Sequence, residues 1–306
     1  YKKFYLVNMK KKIFLLILLA LFFFISGVVL QSKNPSQYIK FKHSAKSVVK
    51  KIQLQNLSKV NTRSCNIKQI STIPRNSHLV VGHLYKHPSV NNKNLLGKLP
   101  ELIYKNRINI KSVIFTGDIF YIPSLEKWNQ LKATFEELDI QYFIAPGNHD
   151  VGINNGPARD LFKLAFKSEY PVLWKEKDSI FLIEDSTINS WHLSQKSLDL
   201  INKNKSNNSV LHIFTHNIIL DELYPYANSK IGKPEKIKSV KNILDGLEDS
   251  FREVRIISGD TGAFEFLPTT ACYTYKNIFS ITNGLGPRES NEVLIIKNNE
   301  IFSFLF

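Results

Sequence analysis

Short runs rich in β-branched and aromatic residues recur along the chain, and each closes on a polar cluster. They cover residues 78–82, 112–117, 141–146, 180–184, 210–215 and 254–258, and they read as strands. Helical periodicity separates several of them. The clearest helix starts at Ser124, an N-cap just after Pro123, and sets Leu125, Trp128, Leu131, Phe135 and Leu138 at spacings of three and four. That spacing lines one face of a helix, so Trp128 is expected in the core. Residues 95–105 and 157–166 read as further helices, each bounded by Pro or Gly. Near the end, residues 293–296, a turn at Asn298 and Asn299, and residues 301–306 form a hairpin pattern. The pattern predicts an α/β domain with an antiparallel tail and no internal repeat.

The first thirty residues follow another rule. Met9, the only methionine, precedes Lys10, Lys11 and Lys12 and then an uncharged run over residues 13–30, so translation is expected to start at Met9. A basic flank before an apolar segment is the pattern of a secretory signal or signal anchor. A helix over residues 13–30 rises roughly 27 Å, close to the ~30 Å of a bilayer's hydrocarbon. No small-x-small cleavage site stands around Ser26 and Gly27, and no lipid-accepting cysteine follows. An uncleaved signal anchor over residues 1–30 is therefore preferred to a cleaved signal. The lysines would stay in the cytoplasm and the C-terminal domain would lie across the membrane, in the periplasm or at the cell surface. Cleavage would instead make the protein secreted. Residues 31–76, rich in Lys, Ser, Asn and Gln, read as a polar linker or stalk, and residues 77–306 as the main domain. Cys65 and Cys272 are the only cysteines. Outside the cytoplasm they can pair, and two separate thiols fit the sequence equally well.

Composition narrows the partners. A hydrophobic content of 43% over 306 residues belongs to a chain with a packed core, which excludes disorder as the default state. The formal charge of +15 favours anionic company. The lysines are spread among Asn and Ser rather than clustered with aromatics, so most read as solvated surface. No recognisable nucleic-acid-binding module accompanies the charge, and nucleic acid is not an expected partner.

The candidate chemistry sits where strands end. The first strand closes on His83, with Tyr85 and His87 close behind, and the second on Asp118. The third delivers Asn148, His149 and Asp150 in the stretch "GNHD"; the run at 210–215 closes on His216 and that at 254–258 on Asp260. Ligands collect outside the carboxyl ends of strands in α/β sheets, so five ends far apart in sequence can meet at one site. Singly, Asp118 and Asn148 would be turn residues and His83 a loop histidine. Their ordered recurrence makes metal ligation the better reading. Tyr121 stays outside this set, His212 reads as structural, and "GLGPRE" at 284–289 reads as a Gly-Pro turn rather than a phosphate-facing loop using Arg288.

The order of "GD" at 117–118, "GNHD" at 147–150 and the lone His216, each after an apolar strand, resembles the calcineurin-like metallophosphoesterases. The resemblance spans roughly residues 78–266. It implies an α/β fold in which a β-sandwich is flanked by helices, and a metal-dependent phosphoesterase acting on a phosphate ester through a metal-activated hydroxide. One or two divalent or trivalent ions (Mn, Fe or Zn) would be the cofactor. Asp118 would bridge two metals, Asn148 and His216 would bind the second, and His149 would act beside the leaving group as general acid or phosphoryl clamp. Two cations ~3.5–4 Å apart can share a hydroxide and neutralise a phosphoryl group. A carboxylate suits the bridge, and an amide oxygen is a hard, neutral ligand. Asp150 is expected to hold a loop or orient a ligand.

Two motifs depart from the family. Asp-x-His is replaced by Gly82-His83-Leu84-Tyr85, so either His83 takes the Asp place with Tyr85 in the His place, or the register shifts. Gly-His-x-His is replaced by Gly259-Asp260-Thr261-Gly262. Asp260 can stand in for an imidazole, whereas Gly262 has no side chain to offer. The second metal keeps Asp118, Asn148, His216 and Asp260. The first keeps His83 and Asp118, with Tyr85 or His87 as the remaining ligand, and is expected to be weak, filled only with substrate, or empty. These departures sustain an alternative of a different class: a non-hydrolytic, single-metal scaffold that binds phosphorylated or acidic envelope polymers.

Overall fold

The computed structural model describes residues 65, 67–85, 98–152, 157–167, 169–188, 193–220, 222–223, 226–227, 245–263, 268–286 and 291–306. The apolar segment at 13–30, His87 and Arg288 lie outside the described residues, as do residues 95–97 of the helix expected over 95–105. Among the described residues no helix is long and apolar enough to cross a membrane.

Among the described residues, twelve strands form two six-stranded mixed sheets. The first sheet contains β1 (Lys68–Ile70), β2 (Ser77–Val81), β3 (Ile110–Phe115), β4 (Gln141–Ile144), β11 (Glu292–Lys297) and β12 (Glu300–Leu305), in the order β1-β12-β11-β2-β3-β4. The second contains β5 (Val172–Glu176), β6 (Ser179–Ile183), β7 (Ser206–Thr215), β8 (Phe251–Ser258), β9 (Thr270–Tyr275) and β10 (Ile278–Asn283), in the order β5-β6-β7-β8-β10-β9. β2, β3 and β4 run parallel, as do β6, β7, β8 and β10. The expected hairpin at the chain end is β11 paired antiparallel with β12.

The alternation of side chains across each strand builds three layers of core. Leu79 and Val81 of β2, Val113 and Phe115 of β3, and Val293 and Ile295 of β11 pack with helices α1 (Leu99–Lys105), α2 (Leu125–Leu138) and α4 (Pro157–Phe166). Val80, Ile114 and Leu294, their neighbours on the opposite face, meet Phe181, Phe214, Ile257 and Ile281 of the second sheet. The outer face of that sheet, with Leu211, Ile213, Val254 and Ile256, packs against Ile201 of α5 (Gln195–Lys203). Strands buried on both faces read as continuous apolar runs, which is why they were visible in the sequence. Helix α2 begins where expected: the Ser124 hydroxyl accepts from the Lys127 amide at 3.3 Å, and Trp128 is fully buried.

The stretch read as a linker supplies structure at its end. β1 pairs in parallel with β12, and Cys65 forms a disulfide with Cys272 of β9, settling the pairing that the sequence left open.

His212 of β7 is structural, as expected. Its ring lies parallel to Phe181 at 4.8 Å, Phe181 stacks on Trp174 at 4.8 Å, and Trp174 on Phe143 at 4.1 Å. Burial, reinforced by the Arg255 charge, keeps His212 well below the ordinary 6.5. A histidine depressed in the fold lets the unfolded chain bind more protons, so its contribution is complete above pH 6.5 and is lost as pH falls below that value. Each such histidine adds a slope of up to about 1.4 kcal/mol per pH unit. His212→Phe keeps an aromatic in the stack and removes the proton site. Urea denaturation at pH 7 and pH 5 should show a smaller acid-induced loss in that variant than in the wild type.

Candidate metal centre

The three layers bring the carboxyl ends of β2, β3, β7 and β8 together, with the loop after β4 beside them. Backbone bonds extend the ladders past the strands: the His83 amide donates to the Gly117 carbonyl at 2.9 Å, Leu84 to Asp118 at 2.8 Å, and Asp260 to His216 at 2.9 Å. This packing leaves no room for side chains at the crossing points. A Cβ on Gly117 would stand 2.6 Å from His216 Nδ1, and one on Gly259 would stand 1.9 Å from the Thr116 carbonyl oxygen. Glycine at 117 is also required by its φ of +85°. His83 and Asp118 adopt φ of 48° and 57°, left-handed values that non-glycine residues hold only when their surroundings impose them.

Asp118, His216 and Asp260 are buried, and one ligand atom from each falls within 4.8 Å of the others, so the group could hold a metal ion. His216 explains why it suits a cation. Its Nδ1 faces the Thr116 carbonyl at 2.9 Å, and because a carbonyl only accepts, Nδ1 carries the proton. Its Nε2 then faces Asp118 Oδ1 at 3.3 Å and Asn148 Oδ1 at 3.2 Å. Three acceptor atoms pointing at one another repel unless a proton or a metal cation lies among them. Burial lowers the His216 pKa, but Asp118 and Asp260 outweigh it and raise the group above 6.5. Asp118 shows the converse: burial opposes its charge, while His216, His149 and His83 together hold it below the ordinary carboxylate range.

Asn148 and His149 open a one-turn helix, α3 (Asn148–Val151), and both are partly exposed. The His149 amide donates to Asp118 Oδ1 at 3.0 Å. Its ring lies against Tyr121 (4.9 Å, 28°) and Tyr85 (4.9 Å, 55°), and its Nδ1 donates to the Tyr121 carbonyl at 3.2 Å. Asp150 holds loops, as expected. Its carboxylate accepts from the amides of Ile119 (2.8 Å), Phe120 (3.2 Å) and Gly147 (2.9 Å), tying the loop after β3 to the loop after β4.

The two departures look different from each other. His83 is buried; Nδ1 donates to the Leu285 carbonyl at 3.2 Å, and Nε2 has no hydrogen-bond partner. Burial outweighs the pull of Asp118 and lowers its pKa to about 4, so Nε2 holds a bare lone pair at neutral pH. The phenol of Tyr85 lies 3.5 Å from Asp118 Oδ2 and is held well above pH 10, by burial first and by Asp118 next. It therefore meets the second carboxylate oxygen as a neutral group. Gly262 has φ of +85°, and a Cβ there would lie 2.4 Å from the Gly284 carbonyl oxygen.

Sequence reasoning passed over Tyr121, which stacks on His149, and two backbone carbonyls, those of Thr116 and Leu285, that fix the tautomers of His216 and His83. An aromatic residue three positions after "GD" was the available signal for Tyr121. Carbonyls leave none.

A family model described as calcineurin-like phosphoesterase matches residues 83–261, more than half of the chain. None of the curated proteins matches the sequence. Among solved structures, the chain is similar to the phosphopantetheinyl hydrolase of Mycobacterium tuberculosis, with 8% identity, 70% of this chain and 91% of that one covered, and a TM-score of 0.40. It is also similar to a predicted phosphoesterase from Streptococcus pneumoniae, at 8% identity over 77% and 99% of the two chains with a TM-score of 0.31. Vps29 of Chaetomium thermophilum is a third, at 11% identity over 76% and 95% with a TM-score of 0.32.

Proposed function

The chain belongs to the calcineurin-like phosphoesterase family, and from that premise we propose that it hydrolyses a phosphate ester at a centre holding one divalent cation between Asp118, Asn148, His216 and Asp260. The observation that carries this reading is the convergence of His216 Nε2 on Asp118 Oδ1 and Asn148 Oδ1 while Nδ1 is committed to a carbonyl. The donor set fits a borderline cation such as Zn, Mn or Fe, because it combines an imidazole with hard oxygens. A bound cation would supply Lewis acidity, polarising the phosphoryl group and making water nucleophilic at neutral pH.

The remaining roles belong to the chain. Asp118 offers one oxygen to this centre and turns the other toward Tyr85, which supports a single strong site rather than two. Gly262 contributes nothing to a second cation. His83 Nε2 stays available as a weak ligand or as an acceptor for substrate. His149, with Nδ1 donating to a carbonyl, has Nε2 left to exchange a proton with a leaving group. The disulfide supports an extracytoplasmic location, where the anchor reading of residues 13–30 also puts the domain.

The test joins metal content to turnover. Purified protein should retain about one cation per chain and hydrolyse an aryl phosphate or a bis-aryl phosphate. His149→Ala should lower kcat by about a hundredfold on an alkyl phosphate, the usual reach of a general acid, and much less on a nitrophenyl ester whose leaving group needs no proton. Equal losses on both would remove the proton-donor role. The empty Gly262 position favours one second reading, the scaffold: one cation with no turnover on any ester would replace the hydrolase by it.

A further inference from the structure

The two sheets enclose another concavity at the end of the strands opposite the candidate metal centre. A cleft of about 810 Å³ opens where β2, β3 and β6 begin and where the β5–β6 and β11–β12 turns come side by side. Four lysines line it, Lys111, Lys175, Lys177 and Lys297, against two carboxylates, Glu176 and Asp178. Glu176 is already engaged, with Lys111 Nζ at 2.7 Å, His78 Nε2 at 3.3 Å and Trp174 Nε1 at 3.1 Å. Among the described residues, no carboxylate pairs with Lys175, Lys177 or Lys297; Lys297 Nζ only donates to the Asn76 carbonyl at 3.3 Å.

The floor is built rather than incidental. His78 is 5% exposed and fixed at Nδ1 by Ser112 Oγ at 2.7 Å. The hydroxyl of Ser179 donates to Asn299 Oδ1, and Arg255 Nη2 donates to the Asn299 carbonyl at 2.6 Å, so side chains of the second sheet hold the turn of the first. Three lysines thus line the concave surface from the end of β5, the β5–β6 turn and the end of β11. Compact, strongly hydrated ammonium groups suit oxyanions with several charged oxygens better than single carboxylates.

We propose that this cleft binds a polyphosphorylated ligand, separately from the candidate metal centre. The inference does not rest on the hydrolase reading, and its test uses metal-free protein so that the two fail independently. Tripolyphosphate titrated calorimetrically onto the EDTA-treated full chain should bind one per chain and weaken as salt is raised. Replacing Lys175, Lys177 and Lys297 together by Gln should weaken binding by about tenfold or more, through the lost charge. All three lie in or beside the β5–β6 and β11–β12 turns, and an unchanged melting temperature would show that the variant is folded. Asp118→Asn should leave tripolyphosphate affinity unchanged. The proposal is overturned by absence of binding, by a triple variant that binds as tightly as the wild type, or by loss of binding in Asp118→Asn.

Discussion

Asp118→Ala should weaken the binding of Zn²⁺ or Mn²⁺ by more than about a hundredfold, the upper end of what loss of an outer-shell partner costs, and should abolish phosphoesterase turnover. Asp118 is the one carboxylate that meets both halves of the centre, with Oδ1 near His216 and Oδ2 near Tyr85. Its removal leaves His216 Nε2 and Asn148 Oδ1 with Asp260 as the remaining carboxylate of the buried group. Wild-type affinity should also rise with pH. His216 is raised above 6.5 by the two aspartates, so a metal must displace its proton, and that displacement becomes easier as the proton leaves. Titration calorimetry at two pH values on both proteins measures the difference. Undiminished affinity in Asp118→Ala would place the cation elsewhere.

The second large effect concerns the disulfide. Cys65 and Cys272 are separated by 207 positions in the sequence. The chain-entropy estimate for a loop that long is about 5 kcal/mol, at the top of the range usually measured. The bond ties the segment leading into β1, an edge strand of the first sheet, to β9, an edge strand of the second. Cys272→Ser, or reduction of the wild type, should lower the melting temperature by about 10 °C, taking a few degrees per kcal/mol for a domain of this size. Thermal melts with and without reductant measure it. A melting temperature indifferent to reductant would mean that β1 and its flank add little to the fold.

The parts of the fold legible in the sequence share one property. β2, β3, β7, β8 and β11 are buried on both faces, so their apolar runs are continuous, and α2 carries a cap and a regular stripe. β1, with the sequence KQI, has no apolar run, and its place depends on β12 and a distant cysteine. β5 (VLWKE) and β9 (TACYTY) are edge strands with mixed polarity, and β10 carries Ser280, Thr282 and Asn283 where a core strand would be apolar. Helix α5 buries little beyond Ser197 and Ile201, too few to announce a stripe.

The site divides in the same way. Motif residues at strand ends were legible because their chemistry is written in their side chains, and the structure brings Asp118, Asn148, His216 and Asp260 to one place. What fixes their protonation is backbone, the carbonyls of Thr116 and Leu285, and a one-letter code carries nothing about where a carbonyl points. The lysine-lined cleft was hidden for a related reason. Its cations come from β3, β5, the β5–β6 turn and β11, and along the chain they look like solvated surface.

The loop at Gly262 bears on how such a centre can change with time. Its backbone is left-handed, and any Cβ there would strike the Gly284 carbonyl oxygen. Gly262→His would therefore distort two neighbouring segments before it offered a lone pair to anything. A protein engineer seeking a second cation would have to rebuild the 259–263 and 284–286 loops together.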